Sequence, residues 1–263
     1  MDMDPVKTFR LDGRVAFVSG GGGAIGSALA TGLAAAGARI LLADIDRERV
    51  EAAAERVRQA GSEAIAVAGD VTNEKEAAGF VAGAIAKFGR LDIHVNAVGG
   101  GAGKVLFEAQ EYPRDAWDWI MELNLRSTLV ATQAAVQAMI RAGNGGKVLN
   151  ISSVRAQLGI NSGYSAYVAA KGAISSLTRQ WATEWAKYNI RVNAIAPTFV
   201  DTPQVATLLA DPDFKAGLVN RVPLRRVGET SDLIGPALFF CSDASSFVTG
   251  QILTIDGGLT ATQ

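Results

Sequence analysis

The sequence of 263 residues contains a single cysteine and a single histidine. Cys241 therefore has no partner for an intrachain disulfide, and His94 alone excludes most zinc sites. Aromatic residues make up only 7% of the chain, whereas 49% of the residues are hydrophobic and 29 are glycines. This composition suits a parallel sheet that helices approach closely, and we expect no metal site.

The chain also lacks an excess of charge of one sign, and it lacks long apolar runs. The 25 basic and 26 acidic side chains leave a formal net charge of −1, so there is no electrostatic reason to expect nucleic acid or an anionic membrane as a partner. Residues 1–10 are a polar tail without the apolar core of a signal peptide, and no apolar run is long enough to span a bilayer. We expect a cytoplasmic protein that acts on a small molecule.

The chain does have a regular alternation of strand and helix patterns. Short apolar runs predict seven strands, at residues 14–19, 39–43, 64–68, 91–95, 147–151, 191–196 and 252–255. Helical patterns occupy residues 24–36, 47–60, 73–88, 114–141, 164–188 and 231–241. The alternation predicts one α/β domain over residues 1–263, a doubly wound Rossmann fold with a seven-stranded parallel sheet and helices on both faces. Residues 198–224 lack a sheet pattern, and we interpret them as a substrate-side loop or lid.

The first strand runs directly into four glycines, Gly20 to Gly23, followed by a helix. A strand, a glycine turn and a helix in this order are typical of dinucleotide binding, because the backbone and the helix N-terminus can receive a pyrophosphate. Asp44 follows the second strand, where a carboxylate can accept both adenosine ribose hydroxyls and repel a 2′-phosphate. The sequence therefore predicts NAD rather than NADP. The alternative role for Asp44 is an N-cap, which Asp46 could supply instead.

Polar residues also end the third and fourth strands, namely Asp70 and Asn96. Ligands of such sheets bind at the carboxyl ends of the strands, so these residues belong to the same edge as Gly20 and Asp44. His94 lies inside the fourth strand and is interpreted as a core histidine with its hydrogen bonds satisfied.

A phenol and an amine are placed on one helix face by Tyr167 and Lys171, which are four residues apart. The neighbouring residues are small or apolar, which predicts a buried helix. A buried ammonium near a phenol would lower the tyrosine pKa into the range of a general acid or base. The alternative is a core tyrosine beside a lysine that reaches water.

Several motifs, taken in order, resemble those of the short-chain dehydrogenase/reductase family from about Leu11 to Gly258. They are SGGGGAIG at 19–26, DV at 70–71, NAVG at 96–99, Asn124, ISS at 151–153, YVAAK at 167–171, APTFVDT at 196–202 and IDGG at 255–258. The chain departs from the family pattern at Ala24, which stands where the family has a glycine, and at Thr198, which follows Pro197 in place of a glycine. The spacing from Ser153 to Tyr167 is one residue longer than usual, so Ser152 stays an alternative to Ser153.

The resemblance implies a role for each matching residue. Tyr167 would be the general acid or base, Lys171 would lower its pKa and hold the nicotinamide ribose, and Ser153 would bind the substrate oxygen. Asn124 would hold a water on a proton path. The implied cofactor-binding residues are Gly20, Gly23, Ile25, Gly26, Asp44, Asp70, Val71, Asn96, Gly99, Tyr167, Lys171, Pro197 and Thr202.

The expected activity is hydride transfer between NAD and a secondary alcohol or ketone. Four polar candidates for substrate binding follow Ser153, namely Arg155, Gln157, Asn161 and Tyr164. They favour a polyol, sugar or sugar acid, as in the family members that the chain resembles, and Arg155 could clamp a carboxylate or be a solvated surface residue. The alternatives are a 3-oxoacyl thioester reductase, an epimerase or dehydratase of the extended type, and a non-catalytic nucleotide sensor. The family also implies a homo-oligomer, a tetramer or a dimer.

Overall fold

A computed structural model describes residues 4–262. Its strands are Val15–Ser19 (β1), Arg39–Asp44 (β2), Ala64–Ala68 (β3), Ile93–Asn96 (β4), Gly146–Ile151 (β5), Ile190–Pro197 (β6) and Ile252–Ile255 (β7). They form one parallel sheet of seven strands in the order β3-β2-β1-β4-β5-β6-β7. The predicted seven-stranded doubly wound sheet is confirmed, with strand ends within two residues of the predicted ones.

Nine α-helices are found in the described part of the chain. They are Ala24–Ala35 (α1), Arg47–Gln59 (α2), Glu74–Phe88 (α3), Arg114–Met121 (α4), Ser127–Ala142 (α5), Ser165–Trp185 (α6), Ala206–Leu209 (α7), Pro212–Arg221 (α8) and Ile234–Cys241 (α9). The apolar faces of α1, α2 and α9 pack on one side of the sheet, and those of α3, α5 and α6 pack on the other. None of these helices is both long and apolar enough to cross a membrane.

Side chains alternate between the two faces of each strand, as the two-residue period requires. In β1, Ala16 and Val18 belong to the core under α1, whereas Val15 and Phe17 belong to the core under α3 and α5. His94 is fully buried against the Phe17 ring and contacts Phe17 O and Asn96 Oδ1. Burial lowers the pKa of His94 to about 4. The core interpretation of this histidine agrees with the structure.

The structure corrects three details of the predicted elements. Residues 198–224 contain the helices α7 and α8, of which α8 begins at the Asp211 cap with Pro212 in its first turn. The long helix predicted at residues 114–141 is interrupted by a π-helical segment, Glu122–Arg126. Within the predicted tail, Pro5–Phe9 forms a 3₁₀ helix, and residues 1–3 lie outside the described residues.

Candidate active site

The glycine turn lies at the carboxyl end of β1 and leads into α1. Gly20 has a φ of 72°, and a Cβ there would lie 2.6 Å from the Ala97 backbone. A Cβ on Gly26 would overlap the carbonyl oxygen of Gly20. Both positions therefore need glycine, because the turn folds tightly against the next strand end and against the start of α1.

The N-terminus of α1 fits an anionic group. Gly23 caps α1 without a side-chain hydrogen bond, and the first turn has no acidic residue. The neighbouring helices α2 and α3 differ, because the side chains of Asp46 and Asn73 accept hydrogen bonds from their first N–H groups. The free N–H groups of α1, with the positive end of its dipole, are suited to a pyrophosphate.

Asp44 ends β2 beside this turn. Its carboxylate accepts hydrogen bonds from the N–H of Gly22 at 3.0 Å and from the N–H of Asp46 at 3.1 Å. Asp46 itself caps α2 through the N–H of Arg49. Asp44 is therefore not the cap of α2, and its carboxylate is held at the glycine turn. Ile45 beside it is 77% exposed, an apolar surface that the sequence reasoning overlooked.

Two further candidates follow β3. The Asp70 carboxylate accepts a hydrogen bond from the N–H of Thr72 at 2.8 Å, and Asp70 is exposed. Val71 is buried and packs in the core under α3 and α5. Both residues lie at the same sheet edge as Asp44, since β2 and β3 are paired in register.

Asn96 ends β4, as predicted, and its side chain is buried. Its side chain is 2% exposed, donates to Thr132 Oγ1 at 2.7 Å and to Asn150 Oδ1 at 2.8 Å, and contacts His94 Nε2 at 2.9 Å. These partners lie within the core, so the side chain joins β4 to β5 and α5 instead of facing the cleft. The side chain of Asn96 is thus occupied in the core, which leaves its backbone at the end of β4 for the predicted cofactor contact.

Asn124 lies in the π-helical segment and is fully buried. Its amide donates to Gly100 O and Ile120 O and accepts from the N–H of Gly100. A Cβ on Gly99 would lie 2.8 Å from Asn124 Oδ1 and 3.1 Å from Lys171 Nζ. The structure therefore brings the Asn124 amide and the Lys171 amine close together beside Gly99, while the hydrogen bonds of the Asn124 side chain go to backbone groups.

Lys171 is only 3% exposed, and its Nζ donates to Ile151 O at 2.9 Å. It lies 5.7 Å from the centroid of the Tyr167 ring. Burial lowers the pKa of Lys171 to about 8. The buried lysine was expected, and the β5 carbonyl is the partner that holds it.

Tyr167 lies one helical turn before Lys171, and Ser153 is near enough to affect its pKa. Burial raises the pKa of Tyr167 above its ordinary value, and the hydrogen bond with Ser153 and the charge of Arg155 act in the opposite direction. Burial has the largest effect on this pKa in the chain by itself, and the lowering by Lys171, whose amine donates to Ile151 O, stays a prediction.

The two serines after β5 have different surroundings. Ser152 Oγ is 2.7 Å from Ser175 Oγ and also bonds to Lys171 O, so it ties β5 to α6. Ser153 Oγ accepts from the N–H of Arg155 at 3.1 Å, donates to Pro197 O at 3.5 Å and lowers the pKa of Tyr167. This geometry favours Ser153 as the serine that works with Tyr167.

Among the substrate-binding candidates, Arg155 is buried, at 6% exposure, so the interpretation of a solvated surface residue is wrong. Gln157 and Asn161 are exposed. The Tyr164 ring meets the Tyr167 ring edge to face with centroids 6.4 Å apart. Arg155 and Tyr164 therefore lie with Tyr167, and the other two occupy the outer part of the 154–164 segment.

The 198–224 segment begins after Pro197 and reaches the glycine loop at 99–101. Thr202 is half-buried, and the Gln204 side chain packs directly on the Cα of Gly100, a contact that no sequence signal indicated. Thr198 Oγ1 is the one buried side-chain polar atom of the described residues without a hydrogen-bond partner. It borders a cavity of about 160 Å³ beneath residues 222–229, which none of Ser153, Tyr167 and Lys171 lines.

The comparisons with known proteins agree with this arrangement. The family model described as "Enoyl-(Acyl carrier protein) reductase" matches residues 22–260. The 2-dehydro-3-deoxy-D-gluconate 5-dehydrogenase of Dickeya dadantii (strain 3937) is 37% identical over 96% of this chain and 98% of its own. A gluconate 5-dehydrogenase from Burkholderia cenocepacia J2315, solved in complex with NADP and tartrate, has a TM-score of 0.90 and 36% identity over 99% of this chain and 100% of its own.

A third relative widens the range of ligands found among the similar proteins. A 7 alpha-hydroxysteroid dehydrogenase, solved with NADH and 7-oxo glycochenodeoxycholic acid, has a TM-score of 0.90 and 34% identity over 97% of this chain and 98% of its own. The relatives thus differ in nicotinamide cofactor and in substrate. The chain belongs to the short-chain dehydrogenase/reductase family, and it is an oxidoreductase that acts on alcohol or ketone groups with a nicotinamide cofactor.

Proposed function

We propose that the protein is an NAD-dependent dehydrogenase of a small polyhydroxylated substrate, a polyol, a sugar or above all a sugar acid. Arg155 and Tyr164 beside Tyr167, with the exposed Gln157 and Asn161 on the outer part of the same segment, support this substrate class, because a steroid or a long acyl chain would need an apolar lining. Two of the relatives are named for gluconate-type substrates, which supports the same class.

The observation that carries the cofactor proposal is the position of Asp44. Its carboxylate is fixed by two backbone N–H groups beside the glycine turn. A ribose with free hydroxyls would complete its hydrogen bonding, whereas a 2′-phosphate would bring like charges together. The family offers both cofactors, since one relative is solved with NADP and another with NADH.

If the glycine turn holds the cofactor pyrophosphate, the contacts of the other parts of the cofactor follow from that position. Gly20, Gly23, Ile25 and Gly26 would hold the pyrophosphate at the uncapped start of α1. Asp70 and Val71 would meet the adenine. Gly99, Pro197, Thr202 and Lys171 would surround the nicotinamide ribonucleotide, with the backbone of Asn96 at the strand end between them.

The chain's own residues would handle the proton. When bound, NAD would supply the hydride chemistry at the substrate carbon. Tyr167 would take the hydroxyl proton in oxidation and return it in reduction, and Ser153 would donate a hydrogen bond to the same substrate oxygen. Lys171, held by Ile151 O, would keep a positive charge beside the phenol below about pH 8. Asn124 would hold the Gly99–Gly100 backbone in place beside Lys171.

The experiment is a substrate screen with both cofactors. Purified protein is assayed with NAD and with NADP against polyols, aldonates and 3-oxoacyl thioesters. We expect turnover with NAD and an aldonate or polyol, and a lower NAD preference in Asp44→Asn. Turnover confined to NADP, or an unchanged cofactor ratio in Asp44→Asn, would contradict the cofactor assignment.

A 3-oxoacyl thioester reductase is the second candidate, and the description of the matching family model names another reductase of acyl thioesters. Asp44 opposes it, because such reductases normally use NADPH. Reduction of acyl thioesters at rates above those for sugar acids would favour the second candidate. Cofactor binding without turnover on any substrate would indicate a nucleotide-sensing protein.

We also propose that the protein is a homo-oligomer. The edge strand β7 carries Leu253 at 41% exposure, and Phe247 just before it is 103% exposed. Exposed apolar side chains beside an unpaired strand edge favour an interface between subunits. Light scattering after gel filtration would measure the mass, and a monomer at micromolar concentration would contradict this proposal.

A further inference from the structure

We infer that Arg155 binds the carboxylate of an acidic substrate, so that the enzyme selects hydroxy or oxo acids over uncharged polyols. This inference rests on the proposed function and assigns its specificity to one side chain.

The first observation is a buried cation without an acidic partner. Arg155 is 6% exposed, yet none of the carboxylates in residues 4–262 lies within 4.0 Å of it. A buried charge is costly unless it is paired, and Asp and Glu partners are its usual solution. An anion from outside the chain would supply the missing partner.

The second observation is the free part of the guanidinium. Nη1 donates to Gly159 O at 3.2 Å. The other two nitrogens have no acceptor among the described residues, and solvent reaches them. A planar group with unused N–H donors is suited to two parallel hydrogen bonds with a carboxylate.

The third observation is the place of Arg155 in the active site. Ser153 Oγ accepts from the Arg155 N–H at 3.1 Å, and the Val154–Ala156 turn packs on α6, which carries Tyr167. The charge of Arg155 lowers the pKa of Tyr167, which places the guanidinium within electrostatic reach of the phenol. A carboxylate on Arg155 would thus belong to the molecule whose oxygen meets Ser153 and Tyr167.

A second cation strengthens the case. Arg221, at the end of α8, lowers the pKa of Arg155 further, after the larger effect of burial. The two guanidinium groups therefore lie within electrostatic reach of each other, and none of the carboxylates in residues 4–262 forms an ion pair with Arg155. Such an arrangement repels cations and attracts a carboxylate.

Arg155 could instead be purely structural and hold the loop through Gly159 O. The two roles predict different results with a matched substrate pair. Gluconate and glucitol carry the same hydroxyl chain and differ in one end group, a carboxylate in the first and a hydroxymethyl in the second. A structural role would change both activities equally, whereas a carboxylate contact would change the gluconate activity.

The test compares wild type, Arg155→Gln, Arg155→Lys and the control Arg58→Gln, whose exposed arginine pairs with Glu51 and Glu55 on α2. We expect kcat/KM for gluconate to fall about ten- to a hundredfold in Arg155→Gln, because hydrogen bonds to charged groups have that weight. Glucitol turnover should change less than threefold, and Arg58→Gln should match wild type. Equal losses on gluconate and glucitol would overturn the inference.

A binding measurement that needs no turnover tests the Arg155 site separately from the proposed dehydrogenase function. Tartrate should raise the melting temperature of the cofactor-free wild type and of Arg58→Gln, but not that of Arg155→Gln. A stabilisation that survives in Arg155→Gln would overturn the carboxylate site. Loss of the stabilisation in a protein that turns over no alcohol would support the site and refute the proposed dehydrogenase function.

Arg155→Lys covers the case in which Arg155→Gln does not fold. Lysine keeps the charge but cannot form the two parallel hydrogen bonds. The ratio of gluconate to glucitol activity should fall severalfold in this variant, and an unchanged ratio would count against the inference.

Discussion

Replacing Asn96 with alanine should destabilise the fold and leave cofactor affinity almost unchanged. The side chain donates hydrogen bonds to Thr132 and Asn150, accepts one from Ser19 Oγ and contacts His94. Its removal leaves four buried polar groups without this partner. Each unsatisfied buried group costs about 1–3 kcal/mol. Allowing for hydroxyl rotation and entry of water, we expect a loss of about 3–5 kcal/mol in the free energy of unfolding.

Urea unfolding would measure this loss as a lower midpoint at constant slope. A fluorescence titration would give the dissociation constant for NAD under native conditions. Asn144→Ala is the matched control, because Asn144 is exposed and its replacement should change stability by less than about 0.5 kcal/mol. A variant with wild-type stability and much weaker NAD binding would show that the Asn96 side chain faces the cofactor and that the reasoning is wrong.

Three further predictions concern the helices of the site. Tyr167→Phe should keep NAD affinity and lose about a hundred- to ten-thousandfold in kcat, measured by absorbance at saturating NAD. Gly26→Ala should weaken NAD binding and lower the melting temperature, because the added Cβ would overlap Gly20 O. The control is Gly79→Ala on α3, where the added Cβ meets open space and should stabilise the protein slightly. The pKa of Lys171 is about 8 in the folded protein, which is lower than the pKa of a lysine in the unfolded chain. Between pH 8 and pH 10 the folded state therefore binds fewer protons than the unfolded state, and the free energy of unfolding should rise over that range. Urea titrations should show a smaller rise in Lys171→Met.

The sheet was predictable because each strand is a short apolar run that ends at a turn. Helix α8 was missed for a physical reason. Only Leu218 is buried on it, so no apolar stripe marks the helix. The signal that was present is local, an Asp211 cap followed by Pro212 in the first turn. The short α7 buries no residue and carries no such signal.

The site was predictable from the sequence where the residues that act together lie on the same helix or strand. Tyr167 and Lys171 share a helix, so their proximity followed from the sequence alone. The orientation of Asn96 could have been derived as well, because residues two apart in a strand share a face and His94 was assigned to the core. The burial of Arg155 could not be derived, since it depends on how the 154–164 segment folds back onto α6.

The charged groups that surround the Tyr167 phenol differ more from the sequence-based expectation than any other feature of the site. Lys171 gives its hydrogen bond to Ile151 O, and its pKa of about 8 makes its charge depend on pH. Arg155 keeps its charge at every relevant pH, and it lowers the pKa of Tyr167. If a substrate carboxylate neutralises Arg155, that influence is lost and the phenol holds its proton more tightly. On the proposed roles, Tyr167 should therefore need a higher pH to accept the proton of an anionic hydroxy acid than to accept that of an uncharged alcohol.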